Sequence, residues 1–295
     1  MSKKTLTNLI ILALVVAVAW GVSYYQRGVR AAAVMKDLAQ ADDYQAYKAL
    51  RKVGGLGPAA TAQAVTLLTA PEDYVRARAC VLVGESGQPR YAAQVAPLLA
   101  DKSPEVQMAA ATALGHLAAP DTAASLVGVV QDTQRTTEVR TAAARSLALL
   151  ASPQAVLPLS AVLQSPAEEK NSALRQALVV ALGATPTPEA VQIVAAEVSP
   201  AVEKDATVRA LAAAALGRSA TEISDVPAIT AAGKALIAAV QGPEEKDAEV
   251  RIAAAHSLGQ LSLPAELSEK GHAALDQART DDNYWVRQAA AGSLK

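Results

Sequence analysis

From about residue 29 onward this 295-residue chain repeats itself, and a chain that does so folds by stacking one small motif upon the next. An aliphatic anchor recurs at Val75, Val106, Val139, Leu174, Val208, Val250 and Val286, at spacings of 31, 33, 35, 34, 42 and 36 residues. The next position holds Arg76, Gln107, Arg140, Arg175, Arg209, Arg251 and Arg287. Four places after the anchor stand Ala79, Ala110, Ala143, Leu178, Ala212, Ala254 and Ala290. Eight places after it come Val83, Leu114, Leu147, Leu182, Leu216, Leu258 and Leu294. Offsets of 0, 4 and 8 lie near one stripe of an α-helix, so each copy predicts a helix buried along one face.

Start and stop signals fall in the same register. Three residues before the anchors are Glu72, Ser103, Thr136, Asn171, Asp205, Asp247 and Asn283, all but Glu72 good N-caps. Nine residues after them, Gly84, Gly115, Gly183, Gly217 and Gly259 are expected to end the helices. Pro58, Pro89, Pro120, Pro153, Pro188, Pro227 and Pro264 predict a preceding helix in each copy, because a first-turn proline lacks only an N–H that had no partner. Residues 29–54 read as one more, degenerate pair in which Gln45 replaces the anchor, as suits a terminal repeat. The expected fold is all-α, an α-solenoid of about eight helix pairs over residues 29–295. The wide spacing before Val250 predicts an insertion near residues 218–227 or 241–247.

The pattern resembles the HEAT repeat family, in particular its short bacterial form with a D-x-x-V-R start and an A-x-x-x-L-G finish. The best copies are Asp205-Ala206-Thr207-Val208-Arg209 with Leu216-Gly217, and Asp247-Ala248-Glu249-Val250-Arg251 with Leu258-Gly259. The resemblance implies a scaffold or adaptor. It also implies a structural ladder in which Arg76, Arg140, Arg175, Arg209, Arg251 and Arg287 meet acidic caps such as Asp205 and Asp247. Asp101, Asp132 and Asp282 offer further carboxylates between repeats, and Gln107 interrupts the series.

Composition narrows the function. With 27 basic against 28 acidic side chains the net charge is -1, which argues against nucleic acid as a partner. The single cysteine, Cys80, excludes an intrachain disulfide or a multi-cysteine metal site, and its place in the helix predicts a small core residue. Several enzymes use an architecture that resembles this one. Deoxyhypusine hydroxylases hold metal with His-Glu pairs, whereas His116, His256 and His272 precede Leu117, Ser257 and Ala273. HEAT-like DNA glycosylases need a basic, aromatic cleft. Phycobilin lyases use the same helix pair, so a tetrapyrrole-handling enzyme or chaperone is the alternative reading. It calls for an apolar, aromatic-rich cavity, and this chain is 3% aromatic with no phenylalanine. No catalytic residues, metal ligands or cofactor site are read from the chain, and the expectation is a non-enzyme.

The N-terminus differs from the repeats. Residues 6–25, LTNLIILALVVAVAWGVSYY, are polar only near their ends. At about 1.5 Å per residue they match a hydrocarbon core of ~30 Å. Trp20, Tyr24 and Tyr25 crowd one end, where amphipathic rings favour the interface. Residues 1–28 therefore predict a single-pass anchor to the lipid bilayer. The competing reading is a signal peptide cut after Ala17-Val18-Ala19, which would release a soluble periplasmic adaptor. Lys3 and Lys4 nearly balance Arg27, Arg30 and Lys36, yet both readings place the solenoid outside the cytoplasm.

Two surfaces are candidates for a protein partner, expected to be membrane-associated. Positions 2, 6 and 10 after each anchor should line a concave groove: Met108, Thr112, His116, Thr141, Arg145, Leu149, Gln176, Val180, Ala184, Ile252, His256 and Gln260. They are mostly small, apolar or neutral polar, which suits a protein segment. At the last helix, Val286, Ala290 and Leu294 are expected to leave an open end face beside Tyr284 and Trp285, for a partner or a second copy.

Overall fold

A computed structural model describes residues 58–168, 170–242 and 244–294. The apolar segment 6–25 and the degenerate pair at 29–54 lie outside them. The described residues form helices and no strand, and none of these helices is long and apolar enough to cross a membrane. They fall into two compact units, one running to Ala113 and the other starting at Leu114.

The first unit holds α1 (Pro58–Thr66), α2 (Asp73–Glu85), α3 (Ala92–Val95) and most of α4 (Pro104–His116). The second holds α5 (Ala123–Gln131), α6 (Thr137–Leu150), α7 (Val156–Leu163), α8 (Ser172–Gly183) and α9 (Pro188–Ala196). It continues through α10 (Ala206–Ser219), α11 (Val226–Gln241), α12 (Ala248–Leu258), α13 (Ala265–Ala278) and α14 (Tyr284–Ser293). Within it the even-numbered helices α6 to α14 pack in succession, and each packs on the odd-numbered helix before it. This is a two-layered stack of helix pairs.

The stripe at 0, 4 and 8 is the buried face of the even-numbered helices. All seven anchors are buried, as are all seven residues four places on. At offset 8 only Leu294 escapes full burial. Capping follows chemistry: Thr136, Asn171, Asp205, Asp247 and Asn283 each accept a first-turn N–H with their side-chain oxygens. Glu72 makes no such bond, and the Ser103 hydroxyl donates instead to Glu105.

The prolines open the odd-numbered helices in three ways. Pro58 and Pro188 begin α1 and α9 directly, while Pro227 sits in the first turn of α11 and Pro264 caps α13. Pro89, Pro120 and Pro153 instead start one turn of 3-10 helix. The extra residues before Val250 go mainly into α11 itself, 16 residues long where α5, α7 and α9 have 9, 8 and 9. The insertion is thus not confined to either loop.

The glycines nine places after the anchors do not end their helices by turning left-handed. Gly84, Gly115 and Gly217 lie inside α2, α4 and α10, and each glycine in the series faces the residue seven places after the next anchor. A Cβ on Gly84 would stand 2.8 Å from the Ala113 Cα, one on Gly183 2.4 Å from the Ala215 Cβ, and one on Gly217 2.6 Å from the Ser257 Oγ. Gly115 and Gly259 meet Ser146 and Ser293 in the same way. Their role is close approach between successive even-numbered helices. The left-handed residues come three places later, at Gly87, Ala118 and Ala151, with φ of 60°, 50° and 46°.

Gly217→Val should therefore force α10 and α12 apart and cost about 1–3 kcal/mol, read as a lower urea midpoint. Gly128→Ala is the control. That site has nothing within 4 Å of a new Cβ, so the better helix former should raise stability by about 0.5–1 kcal/mol.

Candidate functional site

The arginine after each anchor is held by two kinds of acceptor. Arg209 donates from Nε and Nη2 to Glu245 Oε2 and Oε1 at 2.6 and 2.9 Å. Its Nη1 donates to the carbonyl oxygens of Glu203 and Lys204 at 3.1 and 2.9 Å. Arg251 repeats this with the Asp281 carboxylate at 2.9 and 3.0 Å and the Glu245 and Lys246 carbonyls. In the first unit Arg76 does so with Asp101 at 2.8 and 2.9 Å and the Ala70 and Pro71 carbonyls. Arg140 binds Glu168 and the Val130 carbonyl, and Arg175 binds Glu203 and the Leu163 carbonyl.

Each acid closes a second bond in its own repeat. Asp101, Glu203, Glu245 and Asp281 accept the backbone N–H two residues on, from Ser103, Asp205, Asp247 and Asn283. One carboxylate thus fixes both the junction with the preceding repeat and the loop into its own even-numbered helix.

This corrects the expected ladder. Among the described residues Asp205 and Asp247 bond no arginine; their oxygens cap α10 and α12, and Asp205 also accepts the Ser172 hydroxyl. Asp132 bonds Arg135, three residues away. Asp282 touches Arg251 at 3.2 Å from an exposed position, while Asp281 makes the paired contact. Gln107, which stands in the arginine's place, donates to the Asp101 carbonyl at 2.6 Å. Arg287 donates from Nη1 to the Asp281 and Asp282 carbonyls at 2.8 and 3.0 Å, and among the described residues it has no carboxylate partner.

The electrostatics follow from these bonds. The Arg76 guanidinium holds the Asp101 carboxyl below its ordinary 3.8, against the opposing effect of burial. The bond to Glu245 raises Arg209 further. Arg175 also reaches Glu197 at 3.3 Å, so one buried cation serves two buried carboxylates. Burial pushes Glu197 up, Arg175 opposes that, and the Glu203 charge adds to it. Cys80 is fully buried, and burial raises its thiol to about 12.

The expected groove residues divide by exposure. Met108, Thr112, His116, Arg145, Leu149, His256 and Gln260 are exposed. Gln176, Val180, Ala184 and Ile252 are half-buried, and Gln176 donates to the Ser172 hydroxyl. Thr141 is not on the surface: it is 6% exposed, and among the described residues its Oγ1 has no hydrogen-bond partner. The end-face residues divide as well. Val286 and Ala290 are fully buried by the stripe they share with the other repeats, and Leu294 is half-buried. Tyr284 and Trp285 are 53% and 66% exposed, edge to face with ring centroids 5.1 Å apart. The Arg287 guanidinium lies 5.7 Å from the Tyr284 ring centre.

Other surface features had no clear sequence signal. Leu157, Val202 and Val226 are exposed on loops or helix starts, and Tyr74 is exposed immediately before its anchor, as Trp285 is. A cleft of about 530 Å³ opens beside the end of α11, between Val198–Pro200 and Gly242–Glu245, with Gln241 and Gln277 at its edge.

Helix pairs stacked in two layers and joined by a recurring arginine–carboxylate bond define an α-helical repeat protein. Residues 61–137 match the family model of HEAT repeats. No curated protein is significantly similar to the chain. Among solved structures it is similar to the archaeal HEAT-like repeats protein from Thermococcus onnurineus NA1, with 15% identity over 79% of this chain and 95% of that one and a TM-score of 0.53. An engineered protein matches with 22% identity over 90% and 77%, also at 0.53. These two likenesses are of fold. The complex of CpcE and CpcF of phycocyanin lyase from Nostoc sp. PCC7120 is 18% identical over 80% of this chain and 94% of that one, at 0.49.

Two outcomes test the ladder. Arg209→Met strands the buried Glu245 carboxylate and should cost about 3–5 kcal/mol in urea unfolding, whereas Arg209→Met with Glu245→Met should recover most of that loss. Asp101 is lowered on folding, so its contribution is present above about pH 4 and is lost as pH falls through the lowered value. Melting followed from neutral pH to about pH 2 should therefore show a shallower fall for Asp101→Asn than for the wild type.

Proposed function

We propose that this chain is a membrane-tethered scaffold that holds another protein near the bilayer, with the repeats on the extracytoplasmic side. The repeat fold supplies a stiff frame without exposing its charges, because most of the repeated arginines are spent on carboxylates and backbone carbonyls. The observation that carries a protein partner is the exposed Tyr284–Trp285 pair. Aromatic pairs of this kind supply binding energy when a partner buries them. Residues 6–25 would restrict the scaffold to two dimensions and raise its effective concentration against a membrane-associated partner.

The test is crosslinking in cells followed by membrane fractionation and mass spectrometry. The full chain should sediment with membranes with its N-terminus intact, and removal of residues 1–28 should release it. One stoichiometric crosslinked protein should be recovered with the wild type and lost with Tyr284→Ala/Trp285→Ala. Recovery of the chain alone, carrying visible-light absorbance, would replace this reading with the tetrapyrrole one. A soluble chain beginning after Ala19 would replace the tether with a released adaptor.

A further inference from the structure

Arg175 holds one carboxylate more than the ladder requires. Among the described residues Arg76, Arg140 and Arg209 each meet one acid, and the second acid at Arg251, Asp282, is exposed. Arg175 meets both Glu203 and Glu197, and each of these is only 3% exposed. With both ionised, the cluster carries one net negative charge away from water, which is costly without a further cation. The helices packed on α9 supply none. They are α7, α8, α10 and α11. α7 has no charged side chain and α8 has only Arg175. On α10 and α11, Arg209 is taken by Glu245, while Arg218 and Lys234 are exposed. Glu189 of α9 is exposed too, and so is Lys204, whose Nζ donates to the Pro200 and Ala201 carbonyls.

The two acids are held unequally. Glu203 accepts from Arg175 Nε at 2.7 Å and from the Asp205 backbone N–H at 2.8 Å, whereas among the described residues Glu197 has Nη2 alone, at 3.3 Å. Burial favours neutral Glu197, Arg175 opposes this and the Glu203 charge adds to it, so its carboxyl stands above the ordinary 4.5. Position gives that proton a consequence. Glu197 closes α9 and Glu203 lies just before the Asp205 cap, so one guanidinium grips both ends of loop 198–202. The loop is tied within itself: the Val202 and Glu203 N–H groups donate to the Ser199 carbonyl, and the Ala201 N–H to the Ser199 hydroxyl. It can therefore move as one piece. Val198, Ser199 and Pro200 line the cleft of about 530 Å³ together with Ala235, Ala238 and Ala239 of α11.

We infer that Glu197 is a proton-operated latch on this loop: carrying a proton it stays beside Arg175 and holds the cleft wall in place, and once ionised it withdraws to water and frees that wall. Glu203 remains on Arg175 in both states, so the repeat stack is untouched. The sign follows from linkage. The latched state binds the proton more tightly than the released one, so latching is favoured at low pH and is lost as pH rises through the raised value. The latch goes beyond the scaffold reading and does not depend on which partner is held.

The test is Val198→Cys in the full-length chain. Val198 is 1% exposed and follows Glu197 directly, so a thiol there reacts when the loop is released. Cys80 stays silent, because it is fully buried and its thiol is raised to about 12. Reaction with an aromatic disulfide reagent is followed from about pH 5 to about pH 8 and corrected for the thiolate fraction of a free peptide thiol. The corrected rate should rise about fivefold or more over that range, and should change less than about twofold when Glu197→Gln, neutral and of the same shape, is added. A corrected rate that is flat with pH, or equally steep with Glu197→Gln, would overturn the latch. Carbon-13 NMR of the Glu197 carboxyl in the chain without the cysteine, assigned by its loss in Glu197→Gln, keeps the test open should Val198→Cys fail to fold. A midpoint above 4.5, shared by the Ser199 and Val202 amide signals, is the expected result. A midpoint at or below 4.5, or one that leaves those amides unmoved, overturns the latch as well.

Discussion

Each junction between the ladder-bearing repeats turns on one buried ion pair that is also a backbone clamp. A guanidinium has five donors in a fixed fork, and burying it is costly unless nearly all of them are used. At Arg76, Arg209 and Arg251 the Nε and Nη2 donors go to a carboxylate in the following repeat, and Nη1 donates to two carbonyls of the loop before its own helix. The acid returns the constraint by fixing the loop that starts the next even-numbered helix. Such a pair adds little net stability over an apolar contact of equal size. What it sets is register. Shift one repeat by a residue and both a buried cation and a buried anion lose their partners.

The close glycine contacts act on the same junctions through a different force. Where α10 lies against α12, the Gly217 Cα leaves room for Ser257, and Gly183 does the same for Ala215. The backbones can approach because these positions carry almost no side chain, and the alanines of the buried stripe extend the effect. Dispersion rewards that approach over the length of each helix. Charge pairs at the loop end and small residues farther along each helix leave a repeat little freedom to slide or tilt against its neighbour.

Helical periodicity made the repeats legible, since burial at every third or fourth position is a property of the sequence itself. The anchors, the stripe and five of the caps could be read from it directly. Loop geometry has no such period. Asp205 and Asp247 therefore looked like ladder acids, although an N-cap side chain is turned back onto its own helix. The true partners stand two residues earlier, at Asp101, Glu203, Glu245 and Asp281. That recurrence was visible, but its meaning depends on how the loop folds. Glu168 stands one residue farther from its anchor, which blurs the alignment. The end face misled in the opposite way. Val286 and Ala290 belong to the same buried stripe as their counterparts, so the candidate surface reduces to the side chains just before the stripe, Tyr284 and Trp285.

A ladder made this way has a direction. Every such repeat offers a cation to the one after it and an anion to the one before it, and the two offers are not interchangeable. A repeat placed backwards would set like charge against like in a buried junction. A whole repeat lost or duplicated in frame would recreate the junction it interrupts, because any such cationic edge fits any such anionic one. This chemistry gives the chain a way to change length by whole steps while keeping its joints the same.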